Sequence, residues 1–182
     1  VPCLDPIPLR PRTAPPVIPS MVNTKATVPE GETKSFGRVA VMDVRQGEYA
    51  FPEGATPTSL RIVQLFPKAT VFANRPNIGA GAQSLARGVL GTVPIETDGS
   101  VYFEMPAGIS VYFQVLDERG IAIQTMRSDT YLHEDEQLTC LGCHDSKRLA
   151  PPPTIRNPPL ALQRPPAKIQ AEFAEAYPLT FP

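Results

Sequence analysis

Sixteen of the chain's 23 prolines fall at its two ends, seven within residues 1–19 and nine within 151–182. Each proline fixes its own φ, lacks a backbone donor and disfavours helix in the residue before it. Residues 1–19 (VPCLDPIPLRPRTAPPVIP) therefore predict an extended, polyproline-like arm or a plain linker. Residues 151–182 predict a proline-rich tail, basic through Arg156, Arg164 and Lys168, running toward a following domain. The stretch left for a compact domain is 20–150, long enough for one core that buries roughly two-thirds of its unfolded surface.

Charge excludes some partners. Lys plus Arg (17) nearly balances Asp plus Glu (18), so nothing draws the chain generally toward nucleic acid or an anionic bilayer. No apolar run approaches the roughly 20 residues that a membrane-spanning helix needs, and the stretch Ile109 to Leu116 is broken by Ser110 and Gln114. The chain opens on Val1 without a basic and then apolar leader, as expected of a segment excised from a longer protein.

Period-two alternation predicts strands around 38–45, 60–66, 89–94, 100–105, 110–117 and 121–127, with Val111, Phe113 and Val115 facing inward. The Asp98-Gly99 pair predicts a hairpin joining 92–96 to 100–105, and Asp117–Gly120 a second joining 110–117 to 121–127. Residues 68–88, with Gly79, Gly81 and Gly88, predict a long irregular excursion. The only helical candidate is Ile169–Ala176. The fold class expected is all-β: a small antiparallel β-sandwich with extended proline-rich arms.

One motif carries specific chemistry. Cys140-Leu141-Gly142-Cys143-His144 has the C-x-x-C-H spacing of c-type haem attachment. Two thiols so placed can each bond one vinyl group of a single porphyrin, and the histidine that follows can ligate the iron. Gly142 suits a backbone that turns closely against the macrocycle. The same spacing also serves a redox-active pair, half of a zinc site, or no function at all. A thioredoxin-like pair should follow a strand in a βαβ unit, which is not visible here, and a closed zinc site needs four ligands where only Cys3 and His133 remain as further partners.

The surroundings of the motif resemble a known family. Residues 91–144 (GTVPIETDGSVYFEMPAGISVYFQVLDERGIAIQTMRSDTYLHEDEQLTCLGCH) look like the hydrazine synthase alpha subunit middle domain and its relatives in large planctomycete-type proteins. SLRIVQLFPK (59–68) and PPLALQRPPAKIQ (158–170) look like its flanking segments. The resemblance implies one covalent haem c, a β-propeller before the domain and a cytochrome-like region after it. In the hydrazine synthase subunit it further implies an active site that joins a nitrogen oxide-derived species to ammonia, with a tyrosine iron ligand shortly after the motif. Here His144 is followed by Asp145, Ser146, Lys147 and Arg148, and the next tyrosine is Tyr177, so that ligand is not carried over.

The candidate cofactor-binding residues are therefore Cys140, Cys143 and His144, with His144 as the iron ligand. Arg127 and Tyr131 are expected to contact a propionate or cap the pocket, and the basic residues Lys147, Arg148 and Arg156 to neutralise propionates. Tyr131 also suits core packing with its hydroxyl at the rim. For the second axial position, His133, Met42, Met105 and Met126 are formal candidates, against surface exposure for the histidine and core filling for the methionines. The other iron face is expected to be vacant or weakly occupied. Two functions follow: an electron-transfer module serving a neighbouring haem domain or redox partner, or an open haem pocket acting on a small nitrogen compound. A structural interaction domain is a third. Covalent haem is assembled outside the cytoplasm, so an extracytoplasmic, periplasmic location is expected.

Overall fold

A computed structural model describes residues 11, 13, 14, 36–47, 49–68, 71, 72, 75, 77–81, 84–143 and 158–170. Among the described residues seven strands form two sheets, the six that the alternation predicts and a seventh that it does not: β1 (Phe36–Val41), β2 (Pro57–Phe66), β3 (Ala86–Pro94), β4 (Val101–Pro106), β5 (Val111–Asp117), β6 (Ala122–Thr125) and β7 (Gln137–Cys140). One sheet has the order β4-β1-β7 and the other β3-β2-β5-β6. All pairings are antiparallel except β1 with β7, which is parallel, from Arg38 opposite Gln137 to Val41 opposite Cys140.

The core is the space between the sheets. Val39, Val101, Phe103 and Met105 from the first sheet meet Leu60, Ile62, Val111 and Val115 from the second, all essentially without solvent contact. Each such side chain contributes about 1.5–3 kcal/mol by leaving water. Phe103 and Phe113 touch edge to face across the interface, with centroids 5.7 Å apart. Val111, Phe113 and Val115 lie inward as expected, but Tyr112 and Leu116 on the opposite face of β5 are also buried. The Arg87 guanidinium lies over the Tyr112 ring at 5.4 Å, which accounts for part of that cover.

The expected hairpin at 92–105 does not form. Its turn does, with Gly99 N–H donating to the Glu96 carbonyl at 2.8 Å and Glu96 N–H to that of Ser100 at 2.9 Å. The two strands then part: β3 pairs with β2, and β4 crosses to pair with β1. The turn is an arch between sheets, because both flanking strands have a better partner elsewhere. The second expected hairpin, β5 with β6, is present.

The described part of the proline-rich tail returns along the sandwich. A short 3₁₀ turn (Leu160–Gln163) seats Ala161 in full burial, with its N–H donating to Ser100 Oγ at 3.0 Å. Ala167 bridges Phe103 of edge strand β4, and Gln170 bridges Thr92 of edge strand β3. The tail thus laces together the edges of both sheets on one side of the sandwich. At the β3 bulge, a Cβ on Gly91 would lie 2.2 Å from the Gln170 carbonyl oxygen, so only glycine admits the tail this closely. Gln170 is in this extended bridge rather than in the helix expected to begin at Ile169, and residues 171–176 of that candidate lie outside the described residues.

Asp98 ties the arch to the tail. Burial pushes its carboxyl up, but the Leu160 N–H at 2.8 Å and the Ser100 hydroxyl and N–H at 2.6 and 3.0 Å outweigh that and hold it below its ordinary value. Arg164 adds an ion pair to Glu96 at 2.6 Å.

A two-thiol pocket at the open side of the sandwich

Opposite the laced edges, the sandwich is bordered by β7 in one sheet and β6 in the other. Between them lies a pocket of ≈ 250 Å³. Its apolar walls are Val41 and Leu138 from the first sheet and Leu60, Phe113 and Val115 from the second, with Gln124 and Met126 along the β6 side. Ser128, Asp129 and Thr130 supply a polar margin, where Ser110 Oγ donates to the Asp129 carboxylate. Cys140 and Cys143 both line this pocket and both are half-buried.

The pairing of β7 with β1 puts the thiols there. Cys140 is the last residue of β7, opposite Val41, and the chain beyond it folds against the segment following β1. Met42 N–H donates to the Cys140 carbonyl at 2.9 Å, Asp43 N–H to that of Leu141 at 3.2 Å, and Cys143 N–H to that of Gln46 at 2.7 Å. From the facing sheet, Gln124 Nε2 donates to the Cys143 carbonyl at 3.1 Å. Burial pushes the Cys140 thiol up, because a thiolate loses hydration in this pocket.

Gly142 does serve a close approach, but to protein. A Cβ there would meet the Gln46 carbonyl oxygen at 2.1 Å. Gly142→Ala is expected to push the cysteine loop off the 42–46 segment and cost about 1–3 kcal/mol, read as a lower urea midpoint.

The other candidates scatter. Met126 lines the pocket. Met105 is fully buried in the core, and Met42 adjoins the loop through its backbone without lining the pocket. Tyr131 and His133 engage each other at the surface: their rings are 5.0 Å apart, and the tyrosine hydroxyl lies 3.2 and 3.1 Å from the two ring nitrogens. The backbone N–H of His133 donates to the Glu136 carboxylate at 2.7 Å. Neither residue lines the pocket. Arg127 is exposed next to Met126, its guanidinium over the Tyr49 ring at 5.9 Å. Cys3, His144, Lys147, Arg148 and Arg156 lie outside the described residues. Among the described residues, no three His, Cys, Asp or Glu side chains gather to hold a metal ion, and no helix is long and apolar enough to cross a membrane.

The donor chemistry fits a porphyrin bound by two thioethers, since two sulfurs three residues apart reach one water-poor pocket whose floor belongs to both sheets. The pocket wall from β6, Gln124 above all, is what spacing alone does not give. A polar residue at period two on a strand facing the cysteines would have been the signal to look for.

Comparison with known proteins places this geometry. A curated relative, hydrazine synthase subunit alpha of Kuenenia stuttgartiensis, is 29% identical over 100 residues. That match covers 47% of this chain and 12% of the relative. The solved structure of Kuenenia stuttgartiensis hydrazine synthase superposes with a TM-score of 0.61 at 22% identity, over 75% of this chain and 21% of the matched one, a likeness of fold. The model of the hydrazine synthase alpha subunit middle domain matches residues 58–145, a span that holds all but the first residue of β2, β3 to β7 and the whole cysteine motif. Over that span the chain is similar to the hydrazine synthase alpha subunit middle domain family.

Proposed function

We propose that this domain carries one haem c, held by thioethers from Cys140 and Cys143, with His144 as an iron ligand, and that it passes single electrons to a neighbouring haem domain or redox partner. The observation that carries the reading is the convergence of both thiols on one apolar pocket between the sheets. Bound there, the haem supplies one-electron chemistry at iron. The protein's share is to anchor, orient and dry the group. The 42–46 segment and Gln124 fix the backbone of the cysteine loop, while Leu60, Phe113 and Val115 exclude water. Arg127 is exposed next to Met126 of the pocket and would reach a propionate by leaving its place over the Tyr49 ring, whereas Tyr131 is held by His133.

The proposed organisation is an arm over 1–19, the haem domain over 20–150 and a tail over 151–182 toward a following domain, its segment 158–170 docked on the haem domain, within a longer extracytoplasmic protein. An open pocket acting on a small nitrogen compound is the second reading, favoured by Ser128, Asp129 and Thr130 on one margin of the pocket.

The test is to express the 182-residue chain with a haem-attachment system and record its intact mass and pyridine haemochrome spectrum. One added haem and a spectrum of two saturated vinyl positions are expected. His144→Ala should keep much of the attachment and change the iron's spectrum. A folded protein without added mass overturns the reading.

A further inference from the structure

We infer that Met126 supplies the second axial ligand to the iron, an inference that rests on the haem reading above. Four candidates for that place, His133, Met42, Met105 and Met126, lie among the described residues, and the fold separates them. Met105 is sealed in the core, Met42 stays outside the pocket lining, and the His133 ring lies against Tyr131 at the surface, also outside that lining. Only Met126 of the four lines the pocket with both cysteines.

Its placement follows from strand geometry. Side chains two apart on a strand share a face, and Gln124, two residues earlier, reaches the Cys143 carbonyl at 3.1 Å. Met126 N–H continues the β5–β6 ladder by donating to the Phe113 carbonyl at 2.9 Å, so its backbone is fixed at the pocket wall. The cysteines belong to the β7 sheet and Met126 to the β6 side, so a flat group anchored on the one would have the thioether facing it from the other.

Chemistry favours sulfur over the oxygens nearby. Asp129 would have to lose hydration as an anion, and a hydroxyl from Ser128 or Thr130 is a weak ligand to haem iron. A thioether is neutral and soft, carries no buried charge, and swings on an unbranched stem to the metal. It replaces the vacancy expected from sequence with a histidine–methionine pair, which raises the reduction potential.

The test uses the haem-loaded 182-residue chain. The oxidised wild type should be low-spin with a weak sulfur-to-iron charge-transfer band at the red edge of the visible spectrum, and the reduced protein should take up carbon monoxide poorly. Met126→Leu keeps the side-chain volume. It should abolish the band, give high-spin iron that binds carbon monoxide readily, and lower the potential, while Met105→Leu and Met42→Leu keep the wild-type spectrum. Equal haem content in all variants, from mass and haemochrome, certifies that each has folded and been loaded. A wild type without the band, or Met126→Leu with an unchanged spectrum, overturns the ligand assignment and leaves the haem reading standing. A wild type without covalent haem overturns both.

Discussion

Replacing Cys140 and Cys143 together with alanine is expected to abolish the haem mass increase completely while leaving a folded sandwich. The half-buried thiols line the pocket but belong to no part of the closed core, where Phe103, Leu60 and Ile62 exclude solvent. Their truncation should therefore cost stability no more than about 1–2 kcal/mol, a typical value for partly buried positions. Single replacements should retain one thioether and a haemochrome band displaced toward that of a singly saturated porphyrin. Intact mass and circular dichroism together check the result. A double variant that gains the same mass as the wild type would show that attachment uses other residues.

The second large effect is expected from the tail. Ending the chain at residue 157 should lower unfolding free energy by about 3–5 kcal/mol, from the loss of several net hydrogen bonds and of apolar burial. The bonds are backbone ones: Thr92 with Gln170 in both directions, Glu104 N–H to Ala167 and Ala167 N–H to Tyr102. The lost burial is that of Ala161 and of Ile169, which packs against the core. Truncation also bares the edges of β3 and β4, so the shortened chain should self-associate, visible by size exclusion. Acid adds an independent check. Asp98 titrates below its ordinary value when folded and near about 3.9 when unfolded. The unfolded state thus binds its proton first, so the contribution is present above that ordinary value and lost as pH falls through the lower folded one. Without the Leu160 N–H the depression shrinks, and the truncated chain should lose less stability across that window.

Much of this architecture is legible in the sequence because it is written in alternation. Leu60 and Ile62, or Val111, Phe113 and Val115, reveal a buried face without knowledge of any partner. Partners are another matter. The Asp98-Gly99 turn is visible, yet whether its strands pair with each other or with β2 and β1 depends on contacts far along the chain. Four residues, Gln137 to Cys140, are too few to show a period, so β7 and its parallel pairing with β1 escape notice. The tail is hidden for the opposite reason: its prolines speak against regular structure, and the segment docks with two isolated bridges and one 3₁₀ turn rather than with a strand. In the site, C-x-x-C-H names the sulfurs but cannot choose among Met42, Met105 and Met126, since only the fold turns one of them toward the pocket.

The parallel pairing of β7 with β1 also bears on timing. Among the described strands β1 is the first to be synthesised and β7 the last, with the other five between them. A contact spanning so much chain carries a large loop-closure cost and forms late. Before it closes, the segment that bears both sulfurs is not yet paired with β1. After it closes, Cys140 is half-buried and its thiolate is disfavoured. The interval between emergence of the last strand and its docking is thus when chemistry at these two cysteines meets the least resistance.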